Sequence, residues 1–129
     1  MDEATYRKSR GGIKRVWYAA GYSLSGLVAA FRHEAAFRQE LAVAAVLLPL
    51  AVVLPRTWLH SALLIASVML VLVIELVNSA VEAAVDRVSG DHHELAKRAK
   101  DIGSAAVCLS LVNCGVVWLI VLVEEFLGV

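Results

Sequence analysis

The stretch WLHSALLIASVMLVLVIELVNSAVEAAVDRV occupies residues 58–88 and decides the fold. Its first half, through Ile74, is mainly apolar. On an α-helix, about 20 such residues cross the roughly 30 Å hydrocarbon layer of a bilayer. The helical pattern continues beyond Ile74. The stretch therefore predicts a transmembrane helix whose acidic end projects into the interface. At about 100° per residue, one polar stripe of this helix carries Glu75, Asn78, Ser79, Glu82 and Asp86.

The whole chain is more apolar than a soluble domain. Of its 129 residues, 60% are apolar and 19% are charged, and the mean hydropathy is +0.72. Soluble domains have roughly 45–50% apolar and about 25% charged residues. Twelve basic and twelve acidic residues cancel, so no net field favours nucleic acid as a partner, and the high hydrophobicity excludes disorder. We predict an all-α membrane protein with a single domain, residues 1–129.

Three more helices are predicted around the deciding stretch. Residues 12–33 place apolar side chains at three- and four-residue steps among bases and tyrosines, which is typical of an amphipathic helix lying in the membrane interface. The alternative is a helix packed on other helices, as in a soluble protein. Residues 35–54 form a first span with a kink at Pro49, residues 58–88 a second, and residues 93–125 a third with a polar lead.

The distribution of bases predicts the orientation in the membrane. Seven of the twelve Lys and Arg residues lie in the first 40 positions, and four more flank the loop between the last two spans. Positive charge marks the cytosolic side. The N-terminus is therefore expected in the cytosol and the C-terminus outside.

The acidic stripe is the first candidate for chemistry. Ionisable groups in a membrane protein are costly and usually functional. Glu75 follows the apolar run directly, so it is expected near the inner edge of the hydrocarbon as a general base for a lipid hydroxyl. The alternative is a stripe that only hydrogen-bonds subunits together. Three carboxylates on one stripe need cations, and Mg²⁺ takes carboxylate and phosphate oxygens. Glu34, at the junction with the first span, is either a solvated junction residue or, together with Glu82, part of a metal pair.

Phosphate-binding candidates gather at the same level. Lys100 and Asp101 lie at the mouth of the last span. A lysine there also commonly extends to the interface without binding anything, so both interpretations stay open. The sequence has no Walker A loop and no protein-kinase motif, so a nucleotide needs another kind of site. The remaining candidates are Arg15 and Tyr22 on the first helix and His92 and His93 in the loop.

The stripe also bears on assembly. A lone three-helix bundle is expected to leave the stripe facing lipid at considerable cost, so self-association is predicted. Small residues permit close helix approach between subunits, in two runs: Ala80, Ala83 and Ala84, then Gly103, Ala105 and Ala106.

Two other classes of function compete with an enzyme. A transporter using Glu75 as a proton relay needs polar groups through the full membrane depth, but residues 41–54 and 59–74 nearly lack them. An assembly protein without chemistry does not need carboxylates and Lys100 at one level. The distribution of charge favours an interfacial enzyme.

Four stretches resemble the prokaryotic integral-membrane diacylglycerol kinase family, and the ExxNxxxExxxD pattern followed by AKD is the most specific part. The resemblance implies a surface helix plus three spans, a homotrimeric bundle with shared active sites in the bacterial inner membrane, and Mg²⁺-dependent transfer of the ATP γ-phosphate to diacylglycerol, giving phosphatidate. The chain is also similar to the undecaprenol kinase branch of the family, which stays the alternative. The stretches are AGYSLSGL (Ala20–Leu27), HEAAFRQE (His33–Glu40), ELVNSAVEAAVDRV (Glu75–Val88) and HELAKRAKDIGSAAV (His93–Val107).

The resemblance implies a role for each matched residue. Glu75 matches the catalytic base, Asn78 and Asp86 match polar positions near the transferred phosphate, and Glu34 and Glu82 match metal ligands. The sequence departs from the family's pattern on the first helix, at Tyr18 and at Leu24-Ser25. Positions that match ATP contacts are Arg15, Tyr22, Glu34, Glu82, Asp91, His92, His93, Lys100 and Asp101. Positions that match the lipid site are Ser23, Arg38, Glu40, Glu75, Ser104 and Trp118.

Overall fold

The structure is a computed structural model that describes residues 11–88 and 93–129. The described residues form helices and short connections. Two helices have the predicted bounds, the second ends one residue earlier than predicted, and the last begins one residue later and ends two later. The chain divides between Ala35 and Ala36 into two compact units. The helices are α1 (Gly12–His33), α2 (Ala35–Val53), α3 (Trp58–Val88) and α4 (Glu94–Leu127).

Helix α1 makes up the first unit. Gly12 begins the helix with a φ of 53°, a left-handed conformation that favours glycine. The helix ends where the backbone of Glu34 becomes extended, and the Glu34 N–H donates to the Ala30 carbonyl at 2.9 Å. Arg32 and His33 lie in the last turn, where positive charge interacts favourably with the helix dipole.

The second unit contains the three remaining helices, and each of them is long and apolar enough to cross a membrane. Pro49 lies inside α2, where it removes one backbone hydrogen bond. Pro55 lies in the short turn that follows. Thr57 caps α3, because its Oγ1 accepts from the His60 N–H at 3.3 Å.

Helices α3 and α4 form the most extensive helix pair of the chain, and they run antiparallel. His93 caps α4, since its Nδ1 accepts from the Leu95 N–H at 3.1 Å. Gly128 ends the helix with a φ of 66°. Residue pairs fix the register along the hairpin in this order: His60 with Glu125, Leu64 with Val121, Ser67 with Cys114, Asn78 with Gly103, and Asp86 with Lys100.

The apolar core lies toward the end of the hairpin that carries His60. Leu64 is fully buried with Ala51 and Val121, and Trp118 packs against this cluster. Ser67 Oγ donates to the Leu64 carbonyl at 2.8 Å and so satisfies its hydroxyl within the helix. Buried apolar residues continue along α3 through Val68, Val71 and Leu72 up to the buried Glu75.

Candidate functional site

A buried polar band lies one membrane depth away from the His60 end. Glu75 is only 4% exposed, and Asn78 and Ser79 are also buried. The expectation that a lone bundle leaves the stripe facing lipid is wrong for these three residues. Within one chain, Glu40 of α2 contacts Glu75, and Gly103 of α4 lies against Asn78. Only the outer part of the stripe, from Glu82 onward, is more open.

Glu75 is paired with a second carboxyl group, from α2. Glu40 interacts with it electrostatically and by a side-chain hydrogen bond. The Oε2 atom of Glu40 is buried and has no hydrogen-bond partner among the described residues. Sequence reasoning placed Glu40 in the lipid site, and the structure places it against the predicted base.

Asn78 lies one helical turn beyond Glu75 and is closed in by α4. A Cβ atom added to Gly103 would overlap Asn78 Oδ1 and lie 3.2 Å from Asn78 Cγ. The amide thus occupies the space that a side chain at this position of α4 would take. Asn78 Oδ1 is buried without a hydrogen-bond partner among the described residues. A buried unpaired carbonyl oxygen is costly, so this amide is suited to a hydrogen-bond donor supplied by a ligand.

The charged end of the hairpin begins one turn further out. Lys100 Nζ lies 2.6 Å from Asp86 Oδ1, and Lys100 also interacts electrostatically with Glu82. Lys97 Nζ donates to Asp101 Oδ2 at 2.6 Å within α4. The structure therefore brings Lys100 to the outer part of the acidic stripe, as the sequence predicted. Lys97 pairs instead within α4, with Asp101.

The predicted ATP-site residues on α1 belong to the first unit. Arg15, Tyr22 and Ser23 lie on exposed positions of the helix, and the Ser23 hydroxyl donates to the Ala19 carbonyl at 3.0 Å. Glu34 is half-buried at the C-terminal end of α1. Its pairing with Glu82 stays a prediction. Asp91 and His92 lie outside the described residues, and His93 serves as the N-cap of α4.

The predicted lipid-site residues are spread along the helices. Ser104 lies near the polar band, and Trp118 lies 14 positions further along α4, about 21 Å at 1.5 Å per residue. Trp118 packs on the apolar core, and its Nε1 is buried without a partner among the described residues. Arg38 is exposed on α2. These residues do not form one compact patch, although an extended lipid chain is long enough to reach from Ser104 to Trp118.

An apolar groove opens beside the carboxyl pair. It has a volume of about 230 Å³ and lies between α2, α3 and α4. Glu40 and Gln39 form its polar end, whereas its other walls are apolar. A molecule with a polar head and a hydrocarbon tail fits such a groove in one direction, with the head toward Glu40 and Glu75. The apolar walls include Val43, Leu47, Leu72, Leu111 and Gly115.

The residues present fit a magnesium ion that arrives with phosphate. Within residues 11–88 and 93–129, no three His, Cys, Asp or Glu side chains are grouped to hold a metal. Mg²⁺ is usually bound by one or two carboxylates and completes its octahedral shell with water and phosphate oxygens. Glu82 offers a half-buried carboxylate at the charged end. A metal carried by a nucleotide therefore suits this site better than a metal held by protein ligands alone.

Sequence reasoning missed a second polar cluster, at the opposite end of the hairpin. His60 Nδ1 lies 2.6 Å from Glu125 Oε1, and His60 Nε2 lies 3.5 Å from Glu124 Oε2. The Arg56 N–H donates to Glu125 Oε1 at 3.1 Å. The signal was available, because an antiparallel hairpin brings the first turn of α3 to the last turn of α4.

Fold and site together define a polytopic helical membrane protein with a buried acid–amide band at one end of its spans. The prokaryotic diacylglycerol kinase profile matches residues 21–122. The chain is 49% identical over 115 residues to the diacylglycerol kinase of Pseudomonas aeruginosa and 46% identical over 115 residues to that of Escherichia coli, covering 89% of this chain and 94% of each relative. It is 41% identical over 107 residues to the Helicobacter pylori diacylglycerol kinase, covering 83% of this chain and 84% of the relative. The chain belongs to the prokaryotic diacylglycerol kinase family, which confirms the resemblance found in its sequence.

Proposed function

We propose that this protein transfers the γ-phosphoryl group of ATP to the free hydroxyl of diacylglycerol, giving phosphatidate and ADP. One observation supports this most: Glu75 is buried beside Glu40 at the polar end of an apolar groove, about three helical turns before Asp86, which pairs with Lys100. The same hairpin thus carries a base for the lipid hydroxyl and a lysine for phosphate. Relatives with the diacylglycerol kinase name support the lipid.

In the proposed reaction Glu75 is the base. As the lipid oxygen forms its bond to the γ-phosphorus, its proton passes to the Glu75 carboxylate, and the bond from phosphorus to the bridging oxygen of ADP breaks. Asn78, one turn away on the same face, orients the hydroxyl or the γ-phosphate with its amide. Phosphoryl transfer depends mainly on such positioning and on neutralisation of charge.

The nucleotide is proposed to lie at the charged end of the hairpin. Lys100 neutralises phosphate charge, and Asp86 holds Lys100 in place in the absence of ATP through the 2.6 Å ion pair. Glu34 and Glu82 would hold Mg²⁺, which would supply positive charge to neutralise the phosphates. The remaining proposed contacts are Arg15, Tyr22, Asp91, His92, His93 and Asp101.

The lipid is proposed to enter from the membrane through the groove. Its headgroup lies near Glu40 and Glu75, and its acyl chain runs along the apolar walls. Ser23, Arg38 and Ser104 are the further proposed lipid contacts. Trp118 contacts the far part of the chain. This arrangement places the hydroxyl at the base without moving the acyl chain into water.

We further propose the placement of the whole chain in the membrane. Helix α1 lies on the cytosolic surface of the bacterial inner membrane, since its apolar residues Ile13, Val16 and Trp17 are exposed at helical spacing. The N-terminus is cytosolic and the C-terminus is outside. Three chains assemble as a homotrimer with shared active sites.

The test uses the purified full chain in vesicles that contain diacylglycerol, with Mg²⁺ and radiolabelled ATP. The wild type is expected to label phosphatidate, and Glu75→Gln is expected to lose on the order of 10²–10⁴-fold in turnover, the usual contribution of a general base. Glu124→Gln, an exposed carboxylate at the opposite end of α4, is the matched control and keeps full turnover. Parallel vesicles contain undecaprenol in place of diacylglycerol. Transfer of the label to undecaprenol but not to diacylglycerol would reassign the lipid. Normal turnover of Glu75→Gln would reject the base.

A further inference from the structure

We propose that Gly103 is a positioning residue of the kinase: by having no side chain, it sets the orientation of the Asn78 amide. This inference rests on the proposed role of Asn78 in the reaction. Gly103 itself contacts neither substrate, because it acts only through Asn78. It follows Lys100 and Asp101 on α4 and so connects the phosphate-binding end of that helix with the reacting groups on α3.

The geometry identifies the contact. Gly103 is half-buried in the middle of a regular helix, where glycine is unfavourable relative to alanine. An added Cβ would overlap Asn78 Oδ1, but it would stay 3.9 Å from Asn78 Cβ. Only the amide group thus conflicts with a side chain here. The unfavourable glycine has a local explanation, which is the space taken by the Asn78 amide.

The kind of overlap predicts what a methyl group would do. The atom in conflict is the end of a flexible side chain and not backbone. Gly103→Ala should therefore rotate the amide of Asn78 and leave the α3–α4 hairpin in place. Asn78 Oδ1 is buried and accepts no hydrogen bond from the described residues, so no such bond to this atom opposes the rotation. The amide would then lose the orientation that it has against Gly103.

The contrast with another glycine strengthens the argument. Gly26 lies within α1, and a Cβ added there meets no atom within 4 Å. Gly26→Ala adds the same methyl group to a helical glycine without an overlap. It serves as the matched control, and its turnover is expected to equal that of the wild type.

The test is a double-mutant cycle on the full chain in vesicles with diacylglycerol and Mg-ATP. Gly103→Ala is expected to lower kcat by about 10²-fold, the loss that a misplacement near 1 Å produces, with KM for ATP and for lipid within twofold of wild type. Asn78→Ala is expected to lower kcat by a similar factor. If Gly103 acts through Asn78, adding Gly103→Ala to Asn78→Ala lowers kcat no further.

A second measurement reports the amide directly. The chain contains two asparagines, Asn78 and Asn113. Side-chain ¹⁵N labelling of asparagine therefore gives two NH₂ signals, and Asn113 is the internal reference. Gly103→Ala is expected to shift only the Asn78 signal, and Gly26→Ala to shift neither. This readout also applies if Asn78→Ala is too slow for an accurate kcat.

The outcomes separate the two proposals. Normal turnover of Asn78→Ala would reject the proposed role of Asn78. Reduced turnover of Asn78→Ala together with normal turnover of Gly103→Ala would overturn the inference about Gly103 alone. A further loss of kcat in the double variant, or an unmoved Asn78 signal in Gly103→Ala, would also overturn it. If Gly103→Ala does not fold, folding of the double variant would support the contact, and failure of both would reject it.

Discussion

Two lysines of α4 make ion pairs of the same length but have different proposed roles. Lys97 and Lys100 each lie 2.6 Å from an aspartate oxygen. The pair of Lys97 with Asp101 stays within one helix, and both of its side chains are largely exposed. The pair of Lys100 with Asp86 links α4 to α3 at the acidic stripe. Exposed ion pairs contribute little to stability, so neither pair is expected to stabilise the fold much. We propose that Lys100 binds the nucleotide.

This assignment makes a prediction about ligand binding. Lys100→Met is expected to raise KM for ATP about tenfold or more, since a charged hydrogen bond to phosphate is lost, while the thermal midpoint changes little. Steady-state kinetics at varied Mg-ATP and a thermal melt measure the two effects. Lys97→Met is the matched control and should change neither. An unchanged KM for ATP in Lys100→Met would remove Lys100 from the nucleotide site.

The hairpin of α3 and α4 is the element that joins the two polar ends of the molecule. His60 and Asn78 are 18 positions apart on α3, about 27 Å at 1.5 Å per residue. This separation is close to the roughly 30 Å thickness of the hydrocarbon layer. The cluster around His60 and the band around Asn78 are thus separated by nearly the thickness of that layer. The first holds the helix ends together, and the second is available for chemistry.

A stability prediction follows for the cluster around His60. The Glu125 side chain is 6% exposed and receives contacts from His60 and Arg56, whereas that of Glu124 is 53% exposed and lies 3.5 Å from His60. Glu125→Gln is expected to lower the thermal midpoint in detergent clearly more than Glu124→Gln, because it removes the charged acceptor of two hydrogen bonds. Turnover of both variants should stay near wild type at temperatures below the melt. Equal midpoints for the two variants would show that the cluster does not hold the helix ends.

The helices were predictable from the sequence, and their pairing was not. Long apolar runs bounded by Pro55 and by the polar 89–93 region identify α2, α3 and α4 by composition alone. The stripe through Glu75 and Asn78 also follows from the helical repeat. The partner of each residue depends on the register between two helices, which no local pattern encodes. Glu40 against Glu75 and Gly103 against Asn78 therefore became visible only in the structure.

At the scale of the whole molecule, burial changes the argument for assembly. The sequence predicted that a lone bundle exposes the acidic stripe to lipid, but Glu75 and Asn78 are buried within one chain. The cost of exposed carboxylates therefore does not require a trimer. The remaining support for assembly comes from the outer part of α3, where the small residues Ala80, Ala83 and Ala84 are exposed. Small residues on an exposed helix face allow close approach of a second helix.

The proposed trimer is therefore tested at this face. Ala84→Leu is expected to prevent close helix approach, because overpacking a tight contact costs about 1–3 kcal/mol, and so to reduce both the assembled fraction and turnover. Light scattering of the protein in detergent measures the particle, taking 13.9 kDa per chain. Ala84→Ser keeps a small side chain and should retain assembly and activity.

Varying the protein concentration distinguishes an effect of Ala84→Leu on assembly from a local effect on the site. If Ala84→Leu acts through assembly, its turnover should recover at high protein concentration in parallel with the mass of three chains. A variant that keeps the mass of three chains but loses turnover would place Ala84 in the site instead of the interface. Full activity of Ala84→Leu at the mass of a single chain would show that one chain completes the kinase site, and the trimer would then be unnecessary for the reaction.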